Sequence, residues 1–260
     1  MSTIILGSNG MLGHMLSKYF KDAATLAKKD ADIKIDITKD FNLTLKILKN
    51  FKIIINCIGI LVDKSETNKK DAILINSYFP KLLENTFIDT DIKIIHISTD
   101  CIFNGTRGNY SVDEFSNSVS FYGKTKYLGE INNFKDLTLR TSIIGPEISN
   151  HRTGLLNWFL NEKEVDGYAN VFWNGVTTLE LAEIINYCIE NNVSGLHQVG
   201  NVKISKYDLL LKIKEIYNLD TKINKTWSKF NDKSLIHSLL NYKVPPYEDQ
   251  LIKLKAYGRI

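Results

Sequence analysis

Two short runs carry residue types at spacings that suit chemistry. The first is Gly7-Ser8-Asn9-Gly10-Met11-Leu12-Gly13, with three glycines spaced three apart. A dinucleotide's pyrophosphate needs close backbone approach and free N–H groups at a helix start, and glycines in a strand-to-helix turn supply both. Gly7, Asn9, Gly10, Met11, Leu12 and Gly13 are the candidate cofactor-binding residues of this turn. The second run is Tyr122-Gly123-Lys124-Thr125-Lys126, which holds the only Tyr-x-x-x-Lys pair of the chain. On a helix, residues i and i+4 share a face about 6 Å apart along the axis. An ammonium so placed is expected to favour the phenolate, lowering the tyrosine pKa from its usual value of about 10. Such a tyrosine exchanges protons with a carbonyl or alcohol. Thr99, with Ser98 as the alternative, is the expected hydroxyl partner for the reacting oxygen. Both follow the apolar run Ile94 to Ile97, at what reads as a strand end.

The positioning elements are legible from periodicity. Thr3 to Leu6 reads as a buried strand and Met11 to Phe20 as a helix, with Leu12, Met15, Leu16 and Tyr19 at helical spacing. Further strands are expected at Ala24 to Ala27, Lys52 to Cys57, Ile92 to Ile97 and Leu137 to Ser142. Helices are expected at Phe41 to Asn50 and Asp71 to Thr86. Strand–helix alternation of this kind predicts a Rossmann-like, doubly wound parallel sheet covered on both faces. Beyond Gly145-Pro146 the pattern changes. Helices are expected at Leu155 to Asn161, Thr178 to Glu190 and Tyr207 to Ile216, linked by short strands such as Gly195 to Val199. The expected organisation is a dinucleotide-binding domain over 1–146 and a smaller mixed α/β substrate lobe over 147–260, with segments allowed to interleave.

About twenty residues past the glycine turn the chain reads Ala27-Lys28-Lys29. Cations there suit the 2′-phosphate of NADP(H) better than the 2′-hydroxyl of NAD. NADPH is therefore the expected cofactor, with NADH left open and surface lysines as the plainer reading. Asp36 is expected near the adenine or as a helix cap.

Composition narrows the class. The chain has 260 residues, 43% of them hydrophobic and 24% charged, which fits a globular protein and excludes disorder and a disulfide scaffold. A net charge of +4 without a basic stripe gives no reason to expect a nucleic-acid partner. Cys57, Cys101 and Cys188 lie far apart with no Cys-x-x-Cys, so no metal site is expected and a reducing compartment fits. The longest apolar stretch, Ile53 to Val62, is too short to span a bilayer, and Met1 to Leu6 lacks a signal peptide's layout. A cytoplasmic protein with no membrane partner is the expectation.

Together these residues resemble the extended short-chain dehydrogenase/reductase family, and most of all its dTDP-4-dehydrorhamnose reductase branch. The resemblance rests on Gly7 to Gly13, Ile55-Asn56-Cys57-Ile58-Gly59, Leu74-Ile75-Asn76, Ser98-Thr99-Asp100-Cys101-Ile102-Phe103-Asn104-Gly105, Tyr122 to Glu130 and Leu139-Arg140-Thr141-Ser142. A weaker echo runs from Asn174 to Ala182. The sequence departs from the branch at Val112-Asp113-Glu114, where a Glu is usual at position 112.

The resemblance implies NADPH-dependent reduction of a 4-keto-6-deoxy sugar on a nucleoside diphosphate, in deoxysugar or surface-polysaccharide synthesis. Tyr122 is then the general acid, Lys126 the residue that holds the nicotinamide ribose and tunes Tyr122, and Thr99 the group that polarises the ketone. Cys57, Ile58, Gly59, Asn76 and Ser98 join the cofactor contacts. Asn76 is equally readable as a polar helix residue. Arg107, His151, Arg152 and Asn174 are candidates to meet the diphosphate or sugar, or plain surface residues. A homodimer is left open. Two other functions stay in view: a nucleotide-sugar epimerase or dehydratase of the same fold, and a non-catalytic NADP(H)-binding regulatory module.

Overall fold

The computed structural model describes residues 2–148 and 154–258. Its centre is a seven-stranded, all-parallel sheet. Six strands come from the first part of the chain: β1 (Thr3–Leu6), β2 (Ala24–Ala27), β3 (Ile33–Lys34), β4 (Ile53–Asn56), β5 (Lys93–Thr99) and β6 (Leu137–Thr141). The spatial order is β3, β2, β1, β4, β5, β6, then Gly195–Gln198 at the far edge. Strand order reverses between β1 and β4, and the carboxyl ends of strands flanking such a switch point form the ligand crevice of doubly wound sheets.

The apolar runs explain the burial. Ile4, Leu6, Ile54 and Ile94 face one layer of the core, while Ile5, Ile53, Ile55 and Ile95 face the other. The first layer is closed by Leu48, Phe79, Leu83 and Phe87. The second is closed by Leu12, Met15 and Leu16 of helix α1 (Met11–Tyr19) and by the helix Thr178–Glu190. Both faces of the central strands are therefore apolar, as a parallel sheet requires.

Three differences from the sequence expectation matter. First, β5 runs two residues further than its apolar run, to Thr99, because Ser98 and Thr99 still pair with Arg140 and Thr141. Second, the expected helix from Asp71 to Thr86 is three pieces: Lys69–Ala72, a π-helical turn Ile73–Tyr78, and Phe79–Phe87. The π turn carries Asn76. Third, Gly195–Gln198 is not part of a separate lobe; it hydrogen-bonds to β6 and completes the main sheet. The polar stretch after Lys222 also orders. Lys222–Thr226 pairs with Glu164–Tyr168, Asn231–Asp232 pairs with Val171–Trp173, and helix Tyr247–Tyr257 buries Tyr247, Gln250, Leu251 and Leu254.

One buried polar network ties these layers together. The Glu130 carboxylate accepts from Arg140 Nε at 2.9 Å and Nη2 at 2.8 Å, and from the Ser98 hydroxyl at 2.6 Å. Arg140 Nη1 donates to the Val112 carbonyl at 2.8 Å, fixing the loop that follows β5. Both ion-pair side chains are almost fully enclosed, at 3% and 5% exposure. Removing one partner strands a buried charge, at a typical cost of about 3–5 kcal/mol. Arg140→Met should lower the stability by about that amount in urea unfolding, against less than about 1 kcal/mol for the exposed pair partner in Lys222→Met.

Candidate functional site

The glycine turn sits at the carboxyl end of β1. Gly7 has φ +81°, which favours glycine. A Cβ on Gly13 would lie 2.1 Å from the Gly7 carbonyl oxygen, so only glycine lets α1 start this close to the turn. Helix α1 begins with no side-chain cap at Gly10 and no acidic residue in its first turn. Its opening amides are thus left to a ligand, and the positive helix end favours an anion there. The Asn9 amide donates to the Lys29 carbonyl at 2.7 Å, which brings the end of β2 to the turn. Lys28 pairs with Asp36 at 3.1 Å, and the Thr38 hydroxyl, ahead of Lys28, holds the Asp36 carboxyl below its ordinary pKa. Ile58 packs against Gly7 from the segment after β4. A dinucleotide therefore fits this cradle on the shape of the backbone alone.

The helix Phe121–Leu128 carries Tyr122 and Lys126 beside the end of β5. Ser120 caps it by accepting from the Gly123 amide at 3.1 Å. A Cβ at Gly123 would meet the Cys101 carbonyl at 2.1 Å, so the helix lies directly on the strand end. Asn76 fixes it from the other side. Its amide donates to the Ile60 carbonyl at 3.0 Å and to the Thr125 hydroxyl at 3.2 Å, and its oxygen accepts from the Ile60 amide at 2.8 Å. Asn76 is thus a clamp between the loop after β4 and the helix. Ser98, bonded to Glu130, is likewise taken up by the protein.

Lys126 is buried and its ammonium donates to the Ile97 carbonyl at 2.7 Å. Burial draws its pKa down to about 8, opposed by Glu130 and then Cys57. The charged form therefore costs stability below about pH 8, and that cost is relieved as pH rises toward the free-lysine value. Burial pushes the Cys57 thiol up to about 12, so it is an unreactive wall of the crevice. Tyr122 departs from the sequence expectation. Its phenol is pushed up, not down, first by burial and then by the neighbouring Cys101 and Asp100, with only a Thr99 hydrogen bond opposing. Lys126 does not lower it, because that ammonium is turned to the Ile97 carbonyl. Thr99 also donates to Asp100 at 3.2 Å and accepts from the Cys101 amide at 3.1 Å. The structure thus brings Thr99, Tyr122 and Lys126 together at one strand end, beside the glycine turn.

The remaining expected contacts fare differently. Arg107 is exposed, ion-paired with Glu114 and stacked over Tyr110 at 4.8 Å. Asn174 is buried and spends its amide on the Leu235 carbonyl at 2.7 Å and the Asn201 carbonyl at 3.2 Å, while its oxygen takes the Leu235 amide at 3.0 Å. It is a strut that ties Asn201 and Leu235 together. His151 and Arg152 lie outside the described residues. His96, buried in β5, faces Asn56 at 3.2 Å and is held neutral by burial. One further group reaches the end of β5 without a motif to announce it: the Lys233 ammonium lies 3.5 Å from the Cys101 sulfur. Among the described residues no group of three or more His, Cys, Asp and Glu side chains gathers to hold a metal, and no helix is long and apolar enough to cross a membrane.

The reversed strand order, the glycine turn and the Tyr–Lys helix define a Rossmann-like α/β protein of the extended short-chain dehydrogenase/reductase kind. The chain belongs to the RmlD substrate binding domain family, whose model matches residues 1–232. A dTDP-4-dehydrorhamnose reductase of Mycolicibacterium smegmatis is 31% identical over 49% of this chain, a match spanning 39% of that protein's length. One from Aggregatibacter actinomycetemcomitans is 26% identical over 81% of this chain and 77% of its own. Methionine adenosyltransferase 2 subunit beta of Xenopus tropicalis is 22% identical over 83% of this chain and 72% of its own. Among solved structures, dTDP-4-dehydrorhamnose reductase of Bacillus anthracis, in complex with NADP, superposes with a TM-score of 0.83 at 23% identity, covering 99% of both chains.

Because α1 rests on Gly13, Gly13→Ala must push the helix off the turn. Overpacking of this kind costs about 1–3 kcal/mol. A lower melting temperature together with loss of NADP(H) binding in calorimetry is the expected outcome; unchanged binding would contradict the cradle.

Proposed function

We propose that the protein is an NADPH-dependent reductase of a 4-keto-6-deoxy sugar carried on a nucleoside diphosphate. NADH is the alternative donor. The observation that carries this reading is the anchoring of the Tyr122–Lys126 helix at the end of β5, where the Lys126 ammonium donates to the Ile97 carbonyl two residues before Thr99, with the glycine turn at the end of β1. Similarity to proteins named dTDP-4-dehydrorhamnose reductase supports the substrate class, and the NADP complex of the Bacillus anthracis structure supports the cofactor. A cytoplasmic setting and a place in deoxysugar or surface-polysaccharide synthesis go with this reading, and a homodimer stays open.

The residues divide the work as follows. The amides of Met11, Leu12 and Gly13 would receive the pyrophosphate, and Lys28, now paired with Asp36, and Lys29 would hold the 2′-phosphate. Lys126 uses one N–H on Ile97 and keeps two for the ribose hydroxyls. A bound nicotinamide supplies the hydride. Thr99 and Tyr122 would both offer a hydroxyl to the ketone oxygen, the Thr99 proton turning to it from Asp100. Burial keeps the phenol protonated at neutral pH, so Tyr122 arrives as an acid and gives its proton to that oxygen as negative charge develops. The expectation that Lys126 acidifies the phenol is not needed for this direction of reaction.

The similarity to methionine adenosyltransferase 2 subunit beta favours a second reading, a non-catalytic NADP(H)-binding module. Retained NADP(H) with no turnover of any nucleotide keto-sugar selects it.

Two measurements test the reductase. Tyr122→Phe should lower kcat by about 10²–10⁴-fold in a nicotinamide absorbance assay, with NADP(H) affinity kept. Lys126, drawn to about 8, should make NADP⁺ affinity weaken as pH rises through about 8. Lys126→Arg, charged throughout this range, should flatten that dependence.

A further inference from the structure

The middle of β5 holds a polar side chain inside an apolar layer. His96 is fully buried, between Asn56 of β4 on one side and Thr138 of β6 on the other. Ile94 and Ile54, two positions earlier on the same face, belong to the apolar core. His96 Nδ1 lies 3.2 Å from the Asn56 amide nitrogen. Among the described residues its Nε2 has no partner. A buried nitrogen without a partner costs stability, so packing alone would favour an apolar side chain at this position.

The hydrogen-bond roles follow from one fixed donor. The Ile58 amide lies 3.2 Å from Asn56 Oδ1. A backbone N–H can only donate, so the Asn56 atom facing it is the oxygen. The Asn56 NH₂ group then faces His96, and Nδ1 must accept from it. The ring proton is therefore on Nε2. An asparagine amide has two orientations related by a half-turn, and the wrong one would set its NH₂ against the Ile58 N–H. Nδ1 disfavours that orientation, because the turned oxygen would face its lone pair. Burial first, then Lys126 and Lys81, keep the ring neutral, as an acceptor must be.

This chain of bonds ends on the segment after β4. The Cys57 amide donates to the Leu6 carbonyl at 3.1 Å, the Ile58 amide to Asn56, and the Ile60 amide to Asn76 at 2.8 Å. Ile58 lies against the glycine turn: a Cβ on Gly7 would be 3.0 Å from Ile58 Cγ1 and 3.2 Å from its amide nitrogen. A shift of the Ile58 backbone therefore reaches the turn directly. We infer that His96 is a positioning residue for the dinucleotide: it orients the Asn56 amide, which holds the Ile58 N–H and with it the wall that residues 57–59 form beside Gly7. The inference rests on the NADP(H) cradle of the proposed function, yet it is measured by binding rather than turnover.

The experiment is calorimetric titration of the full chain with NADP⁺, with a melting curve for each protein. The proteins are the parent, His96→Leu, Asn56→Val, the double variant, His96→Asn and Thr138→Val. His96→Leu and Asn56→Val should each lose about three- to tenfold in affinity, and the double variant no more than either alone. His96→Asn, whose Oδ1 can stand where Nδ1 stood, should bind like the parent. Thr138 lies on the same face but bonds to Ile131, so Thr138→Val should melt lower with NADP⁺ affinity unchanged. If His96→Leu does not fold, Asn56→Val against Thr138→Val makes the same comparison, and nitrogen NMR of the parent must show the Nε2–H tautomer of His96. Equal affinity in parent and His96→Leu, losses that multiply in the double variant, no recovery in His96→Asn, an equal loss in Thr138→Val, or an Nδ1–H tautomer overturns the inference. Reduction of a keto-sugar with unaltered NADP⁺ affinity in His96→Leu sinks this inference alone. The expected affinity pattern without any keto-sugar reduction sinks the reductase reading alone.

Discussion

The site depends on how one helix is held at one strand end. The Lys126 ammonium donates to the Ile97 carbonyl, and the next residue of the strand, Ser98, donates to Glu130 just past the end of the same helix. Arg140 on the adjacent strand closes the carboxylate from its other side and reaches the Val112 carbonyl. These bonds fix helix, strand and the following loop in one register. A dry environment makes each of them costly to break, because a released partner would be a buried, unpaired charge or donor. Tyr122, one helical turn before Lys126, inherits its place beside Thr99 from this arrangement.

The same dryness sets the chemistry. A buried phenol is harder to ionise and a buried ammonium easier to neutralise. Tyr122 and Lys126 therefore shift in the directions that weaken their charged forms, and the protein meets its ligand with a protonated phenol. That state suits delivery of a proton to an oxygen. The glycine turn and the uncapped start of α1 complete the crevice by offering backbone donors where no side chain competes.

Much of this was legible in the chain. Continuous apolar runs and period-3.6 patterns marked strands and helices of the parallel sheet, because its central strands are buried on both faces. Gly7 to Gly13, Thr99, Tyr122 and Lys126 announced themselves through residue type and position. What the sequence hid depends on the third dimension. Nothing local shows that Ser98 bonds to Glu130, or that Asn174 bonds to Asn201 and Leu235. The direction of the Tyr122 shift followed burial, while the ammonium four residues away is turned to the Ile97 carbonyl. Gly195–Gln198 looked like a strand of the second lobe, and only its pairing with β6 places it in the main sheet. Helix Tyr247–Tyr257 lies in a polar stretch, with its buried Tyr247, Gln250, Leu251 and Leu254 at helical spacing.

The central claim is that hydride is delivered to a sugar carbon held by Thr99 and Tyr122. The most direct measurement is a single turnover with NADPH deuterated on the transferring face and a dTDP-4-keto-6-deoxyhexose, followed by mass spectrometry and NMR of the sugar. The account predicts deuterium at C4 of the product and nowhere else. An unlabelled sugar, or label at another carbon, would contradict it.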